Sequence, residues 1–140
     1  MTESGRRVLI AVVEDNPADV LLVREALKAQ KLPFEIKRFE DGEEAIQALC
    51  PDDGSPRLQP DLILIDLNLP RSSGLDVLKS VRECPTNNSI PAAILTSSES
   101  PHDQKRAMAL GADRYIFKPT RLDDYLSTVG LAIKELLAPR

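Results

Sequence analysis

Histidine, cysteine and tryptophan are scarce in this chain of 140 residues, which has one histidine, two cysteines and no tryptophan. Because His102 is the only imidazole, most histidine-based metal sites and catalytic schemes are excluded. Cys50 and Cys84 are too few, and too far apart in the sequence, to indicate a disulfide framework or a zinc site. We therefore expect two buried or idle thiols in a reducing cytosol.

Long apolar runs are also missing. No stretch approaches the roughly 20 apolar residues that a membrane-spanning helix needs. The run Val8–Val13 is too short, and too close to Glu14 and Asp15, to be the core of a secretion signal. We expect a cytoplasmic protein without membrane contact. The formal net charge of −4 and a pI near 5.1 argue against direct binding of nucleic acid.

Motifs that bind nucleotides or carry a serine nucleophile are absent too. The patterns G-x-x-x-x-G-K-[ST], G-x-G-x-x-G and G-x-S-x-G do not occur. The sequence therefore indicates neither a glycine-rich loop that binds nucleotide phosphates nor the nucleophile elbow of an α/β-hydrolase. The length fits one domain. We expect residues 1–140 to form a single domain, with a core at about 7–137 and no output domain after it.

Short apolar runs alternate five times with segments of helical period. The runs are Val8–Val13, Phe34–Phe39, Leu62–Ile65, Ala92–Leu95 and Tyr115–Phe117. Most are apolar on both faces, which predicts a parallel sheet covered by helices on each side. The run Phe34–Phe39 begins by alternating apolar and charged residues, which favours an edge position. We predict an α/β, doubly wound, three-layer sandwich with strand order 2-1-3-4-5, a flavodoxin-like fold.

Polar residues follow four of these predicted strands. Glu14 and Asp15 follow the first, Asp66 the third, Thr96 the fourth and Lys118 the fifth. The carboxyl ends of parallel strands share one sheet edge, and ligands bind there where the strand order reverses. Crowded carboxylates repel one another and require a cation, and oxygen-only ligands favour Mg²⁺. With an ammonium and a hydroxyl close by, this set predicts a site for an aspartyl-phosphate.

Each of these residues has an ordinary structural interpretation on its own. An acidic pair at a strand end is usually solvated loop, a threonine there is usually a cap, and a Lys-Pro pair is usually surface. Their joint placement at four strand ends of one sheet is what favours the site.

The chain resembles the response-regulator receiver family over roughly Arg7 to Leu137. The matching stretches are Glu14-Asp15-Asn16, Asp61 to Pro70, Gly74, Leu95-Thr96-Ser97 and Gly111 to Pro119. The local sequence around Asp15 and Asp66 is similar to that of stand-alone regulators that serve phytochrome-type histidine kinases. Two departures are small: the first acid is Glu14 where Asp is commoner, and Ser97 stands where Ala is frequent.

The resemblance implies a role for each site residue. Asp66 would be the phosphoacceptor, and Asp15 and Asp66 would bind Mg²⁺ directly. The Asn68 backbone carbonyl would be a third ligand, and Glu14 would act through water. Thr96 would contact the phosphoryl group, and Tyr115 would be the switch aromatic. Lys118 would pair with the phosphoryl group, and the peptide bond between Lys118 and Pro119 would be cis.

The resemblance also implies a function. A sensor histidine kinase or a phosphotransfer protein would phosphorylate Asp66 and so remodel the face of the fourth helix, fifth strand and fifth helix. That face would bind an unknown downstream protein or form a homodimer. Two alternatives stay open. One is an adaptor that works without phosphorylation, although every chemical position is filled. The other is a phosphatase, but Asn68 cannot act as its general acid; we therefore expect no enzyme beyond self-phosphorylation and slow dephosphorylation.

Overall fold

The computed structural model describes residues 7–138, in which five strands alternate with five helices. The strands are β1 (Val8–Val13), β2 (Phe34–Phe39), β3 (Leu62–Ile65), β4 (Ala92–Thr96) and β5 (Arg114–Phe117). The helices are α1 (Pro17–Ala29), α2 (Gly42–Leu49), α3 (Gly74–Glu83), α4 (Pro101–Ala109) and α5 (Leu122–Leu137).

All neighbouring strands are parallel, in the order β2-β1-β3-β4-β5. The predicted fold class and strand order are therefore confirmed. Strand β2 lies at an edge, and its residues alternate in exposure until Phe39. Strands β3 and β4 are buried throughout, as expected for strands covered on both faces. The order reverses between β1 and β3, so the carboxyl ends of these two strands flank a crevice.

Two apolar layers lie on opposite faces of the sheet. Helices α2, α3 and α4 cover one face through residues such as Leu49, Leu78 and Ala107. Helices α1 and α5 cover the other through Val23 and Ile133. This arrangement leaves the loops after the strands open at one sheet edge. None of the helices in the described range 7–138 combines the length and apolarity needed to span a membrane.

The two cysteines correct one expectation, because they form a disulfide. Cys50 is the C-cap residue of α2, and Cys84 is the C-cap residue of α3. These two helices pack side by side on one face and end at the same sheet edge, which brings the two Cα atoms to 6.2 Å. That distance suits a disulfide. The prediction of two idle thiols was wrong because a separation of 34 residues along the chain conceals the proximity of the helix ends.

The peptide bond before Pro119 corrects a second expectation. No peptide bond among residues 7–138 is cis, so the cis bond implied between Lys118 and Pro119 is wrong for this structure. The trans isomer is intrinsically favoured by about 0.5–1 kcal/mol. With the trans bond, the Lys118 ammonium already reaches its carboxylate partners.

Candidate functional site

The Lys118 ammonium lies at the centre of a cluster of carboxylates. Its Nζ is 2.9 Å from Glu14 Oε1, 3.0 Å from Asp66 Oδ2 and 3.2 Å from Asp19 Oδ2. The side chains of Lys118 and Asp66 are each 11% exposed, and that of Glu14 is 6% exposed. One positive charge therefore faces three acidic groups in a largely dry crevice.

The parallel topology brings these residues together. Glu14 follows β1, Asp66 follows β3 and Lys118 follows β5, so all three lie at the same sheet edge. Asp19 comes from the first turn of α1. Carboxylate oxygens of Glu14, Asp19 and Asp66 lie within 4.8 Å of one another. An all-oxygen acidic group of this size suits a hard divalent cation.

Burial and charge shift two pKa values in the cluster. Burial raises the pKa of the Glu14 carboxyl to about 7; the hydrogen bond from Lys118 opposes this rise, and the neighbouring Asp66 adds to it. Burial lowers the pKa of Lys118, but its hydrogen bonds to Glu14 and Asp66 outweigh that effect, so the pKa lies above its ordinary value. Lys118 is therefore charged at neutral pH, whereas the carboxyl of Glu14 titrates close to neutral pH.

The turn after β3 is built tightly around Asp66. The Asn68 amide donates a hydrogen bond of 3.1 Å to Asp66 Oδ1, which orients the carboxylate. Gly74 begins α3 and donates its amide to the Leu67 carbonyl at 3.1 Å. A Cβ atom on Gly74 would overlap the Asp66 carbonyl oxygen. Glycine is therefore required where α3 approaches the backbone of the turn.

Asp15 lies next to the cluster but outside it. Its side chain is exposed, and the group of three neighbouring carboxylates contains Asp19 in its place. Arg38, near the end of β2, fixes the backbone here: its Nε donates to the Glu14 carbonyl at 3.1 Å, and its Nη2 donates to the Asp15 carbonyl at 2.8 Å. The backbone of Asp15 is thus held by Arg38, while its side chain remains exposed.

Thr96 and Tyr115 are connected through Ser98. Thr96 is fully buried at the end of β4, and its hydroxyl accepts a hydrogen bond from the Ser98 amide at 3.2 Å. The half-buried Tyr115 donates its hydroxyl to the Ser98 carbonyl at 2.9 Å. The Ser98 hydroxyl in turn donates to Asp103 in α4 at 2.8 Å. A shift of Thr96 can therefore reach Tyr115 and α4 through one residue.

Tyr125 is a polar residue that the sequence pattern placed only in the apolar stripe of the last helix. It is 2% exposed, and its hydroxyl has no hydrogen-bond partner among the described residues. Burial raises the pKa of this phenol, and Lys118 and Asp19 also act on it electrostatically. The tyrosine hydroxyl therefore lies within electrostatic range of the cluster.

The sequence predicted Glu14, Asp66, Thr96 and Lys118 at this edge, and the structure places all four there. It missed Asp19 and Arg38. Asp19 carried a weak signal, since it lies in the first helical turn after an acidic strand end. Arg38 carried none, because the alternating pattern of β2 indicates only a side chain on one face of the strand.

The chain is similar in sequence to known response regulators. The family model of the response regulator receiver domain matches residues 10–130. Response regulator Rcp1 of Synechocystis sp. is 35% identical over 130 residues, which cover 91% of this chain and 87% of that protein. The probable methanogenesis regulatory protein FilR2 of Methanothrix harundinacea is 32% identical over 121 residues, 86% of this chain and 78% of that protein.

The fold of this chain is similar to that of several solved response regulators. The phosphorylated cyanobacterial phytochrome response regulator RcpA has a TM-score of 0.81 and 34% identity, and 94% of each chain is covered. The Mn²⁺-bound form of Rcp1 has a TM-score of 0.81 and 33% identity, with 95% of this chain and 96% of that chain covered. The bacteriophytochrome response regulator RtBRR has a TM-score of 0.73 and 30% identity, with 96% and 80% covered.

Proposed function

This chain belongs to the response regulator receiver family of two-component signalling, and we propose that Asp66 is the residue that accepts the phosphoryl group. The observation that carries this proposal is the position of its carboxylate. Asp66 directly follows the central strand β3 at the switch-point crevice, with the Lys118 ammonium 3.0 Å away. Carboxylate nucleophiles of this kind form acyl phosphates when positive charge balances the incoming phosphoryl group.

The phosphoryl donor would be the phosphohistidine of a histidine kinase or of a phosphotransfer protein. A carboxylate oxygen of Asp66 attacks phosphorus, the phosphorus–nitrogen bond breaks, and the departing imidazole takes up a proton. Lys118 then pairs with a phosphoryl oxygen. Such transfers depend mainly on positioning and electrostatic stabilisation. The similarity to RcpA and RtBRR, phytochrome and bacteriophytochrome regulators by name, supports a phytochrome-type kinase as donor.

The residues present fit Mg²⁺, which when bound would neutralise charge on the phosphoryl oxygens. We propose that Asp15, Asp66 and the Asn68 carbonyl hold the ion directly and that Glu14 acts through water. Asp19 is the competing candidate, because its carboxylate groups with Glu14 and Asp66. Comparing Mg²⁺ titrations of Asp15→Asn and Asp19→Asn distinguishes the two assignments, since the variant lacking a direct ligand loses more affinity.

Phosphorylation would act on the distal face through Thr96. When the Thr96 hydroxyl turns to a phosphoryl oxygen, its bond from the Ser98 amide breaks, and the Tyr115 hydroxyl loses a fixed acceptor. Tyr115 then swings inward. The face of α4, β5 and α5 presents exposed Met108, Phe117 and Leu122. We propose that this face binds a downstream protein or a second copy of the chain.

Intact-mass spectrometry tests the phosphoacceptor. With a small-molecule phosphodonor and Mg²⁺, the wild-type chain should gain one phosphoryl group and Asp66→Asn should gain none. Asp52→Asn is the matched control, because Asp52 is an exposed aspartate in the loop after α2. An unchanged adduct on the Asp66→Asn variant would overturn the assignment. Slow loss of the adduct is expected, since Asn68, which is exposed beside the site, offers no general acid.

A further inference from the structure

The disulfide at the sheet edge opposite the site borders an open groove. The groove has a volume of about 340 Å³ and is lined by both cysteines. The other lining residues are Pro51, Gly54, Ser55, Pro56, Arg57 and Thr86. Cys84 is 4% exposed, whereas Cys50 is only half-buried. Of the two cysteines, Cys50 is therefore the more accessible to a small molecule in the groove.

The one charged side chain that lines the groove indicates which kind of small molecule it would attract. Among its lining residues, all of which belong to the described part of the chain, Arg57 is the only one with a charged side chain. A guanidinium that lines the same groove as a disulfide attracts thiolates and the carboxylates of a small anionic thiol. Thiol–disulfide exchange requires a thiolate and access to the sulfur that is attacked.

We propose that the Cys50–Cys84 pair is a thiol–disulfide exchange site for a small anionic thiol of the glutathione class. The incoming thiolate attacks Cys50 Sγ, a bond forms between the two sulfurs, and the bond to Cys84 breaks. Cys84 leaves as a thiolate and takes a proton from water. A second thiolate attacks the small-molecule sulfur of the mixed disulfide, yields the small-molecule disulfide and releases Cys50 as a thiolate, which takes a proton from water. Two electrons pass from the two small thiols to the protein.

The fold should survive reduction, because a second link joins the same helix ends. Asn87 is 2% exposed, and its Nδ2 donates to the Leu49 carbonyl at 2.6 Å and to the Leu58 carbonyl at 3.2 Å. Its Oδ1 accepts from Arg57 Nε at 3.3 Å. The segment after Cys84 thus remains attached to the end of α2 by hydrogen bonds when the covalent bond opens.

The same helix pair touches the phosphoacceptor site at its other end. Asp41 caps α2 and forms an ion pair of 3.2 Å with Arg71, in the loop after Asp66. Asp41 and Cys50 are the N-cap and C-cap residues of α2, so the disulfide lies about 13.5 Å along the helix axis from this contact. If opening the disulfide loosens the α2–α3 unit, the Asp41–Arg71 ion pair is the contact through which the loop at 67–73 would respond.

The test uses the full chain in glutathione buffers of defined ratio, followed by rapid alkylation and intact-mass spectrometry. We expect conversion between the disulfide and the two-thiol forms, with a transient glutathione adduct. Peptide mapping should place this adduct on Cys50. In glutathione disulfide, the Cys84→Ser variant should form its adduct faster than Cys50→Ser, on the order of tenfold, because the Cys84 thiol is buried. A chain that keeps two thiols in oxidising buffer, or an adduct that forms faster on Cys84, would overturn the proposal.

Two further measurements test separately the role of the Arg57 charge and the connection to the loop at 67–73. Arg57→Gln should slow reduction by glutathione but leave reduction by neutral mercaptoethanol unchanged; equal slowing of both would remove the charge argument. Hydrogen exchange should rise on reduction in α2 and in the loop at 67–73, while circular dichroism stays that of a folded chain. Unchanged exchange in that loop would refute the connection to the site. Neither measurement depends on phosphorylation of Asp66.

Discussion

Removing the charge of Asp66 should stabilise the metal-free protein at pH 8. At an effective dielectric constant of 20, the attraction between Asp66 and Lys118 at 3.0 Å amounts to about 5.5 kcal/mol. Glu14 and Asp19 lie within 4.8 Å of Asp66, so each repels it by at least about 3.5 kcal/mol. The balance is unfavourable by about 1.5 kcal/mol. Replacing Asp66 with asparagine removes this net repulsion and keeps the size of the side chain.

The expected result is a higher melting temperature for Asp66→Asn in chelator at pH 8, by about 5 °C for a chain of this length. Asp15→Asn is the matched control. Asp15 is exposed and lies outside the carboxylate group, so its replacement should change stability by less than about 0.5 kcal/mol. Adding Mg²⁺ should stabilise the wild type more than Asp66→Asn, because the variant lacks a ligand.

Acid should remove this advantage. The pKa of Glu14 is raised to about 7 in the folded protein from an ordinary value of 4.5. A raised carboxyl pKa contributes stability that is present below pH 4.5 and lost as the pH rises through 7. At pH 5.5 Glu14 is protonated, and one of the two repulsions on Asp66 disappears. By the same estimate the charge of Asp66 is then favourable by about 2 kcal/mol, so Asp66→Asn should melt lower than the wild type at pH 5.5. If Asp66→Asn melts lower than the wild type in chelator at pH 8, the picture of crowded acids is wrong.

Three other changes have defined outcomes. Tyr125→Phe should raise the free energy of unfolding by about 1 kcal/mol in denaturant titration, because it removes a buried hydroxyl without a partner; a loss of stability would show that the hydroxyl has one. Reducing the Cys50–Cys84 bond, which spans 34 residues, should cost about 4 kcal/mol, measured in the same titration with and without reductant; equal midpoints would contradict this. Thr96→Ala should still be phosphorylated but lose the NMR shifts around Tyr115, and shifts of wild-type size would refute the link through Ser98.

The alternation of apolar runs with helical segments predicted the class of fold, and the usual order of doubly wound sheets together with the pattern of the second run predicted the strand order. A strand buried on both faces must be apolar throughout, and parallel strands require crossover helices, so both leave periodic signals in the sequence. The edge position of β2 followed from its alternating pattern in the same way. The helix ends have weaker signals in the sequence: α4 ends at Ala109, two residues before Gly111.

The topology also located most of the site, because residues directly after parallel strands must meet at one edge. That rule places Glu14, Asp66, Thr96 and Lys118 without knowledge of any side-chain conformation. It does not determine which side chains point into the crevice. Asp15 and Asp19 are equally acidic in the sequence, and only the path from β1 into α1 puts Asp19 against Lys118.

Contacts between the ends of helices were decided by tertiary packing alone. Cys50 and Cys84 come together because α2 and α3 lie side by side on one face and end at the same edge. Arg38 reaches the backbone after β1 because β2 pairs in register with that strand. Periodicity reports which face of an element is buried. The distance between two side chains on different elements depends on how those elements pack, and no local pattern records it.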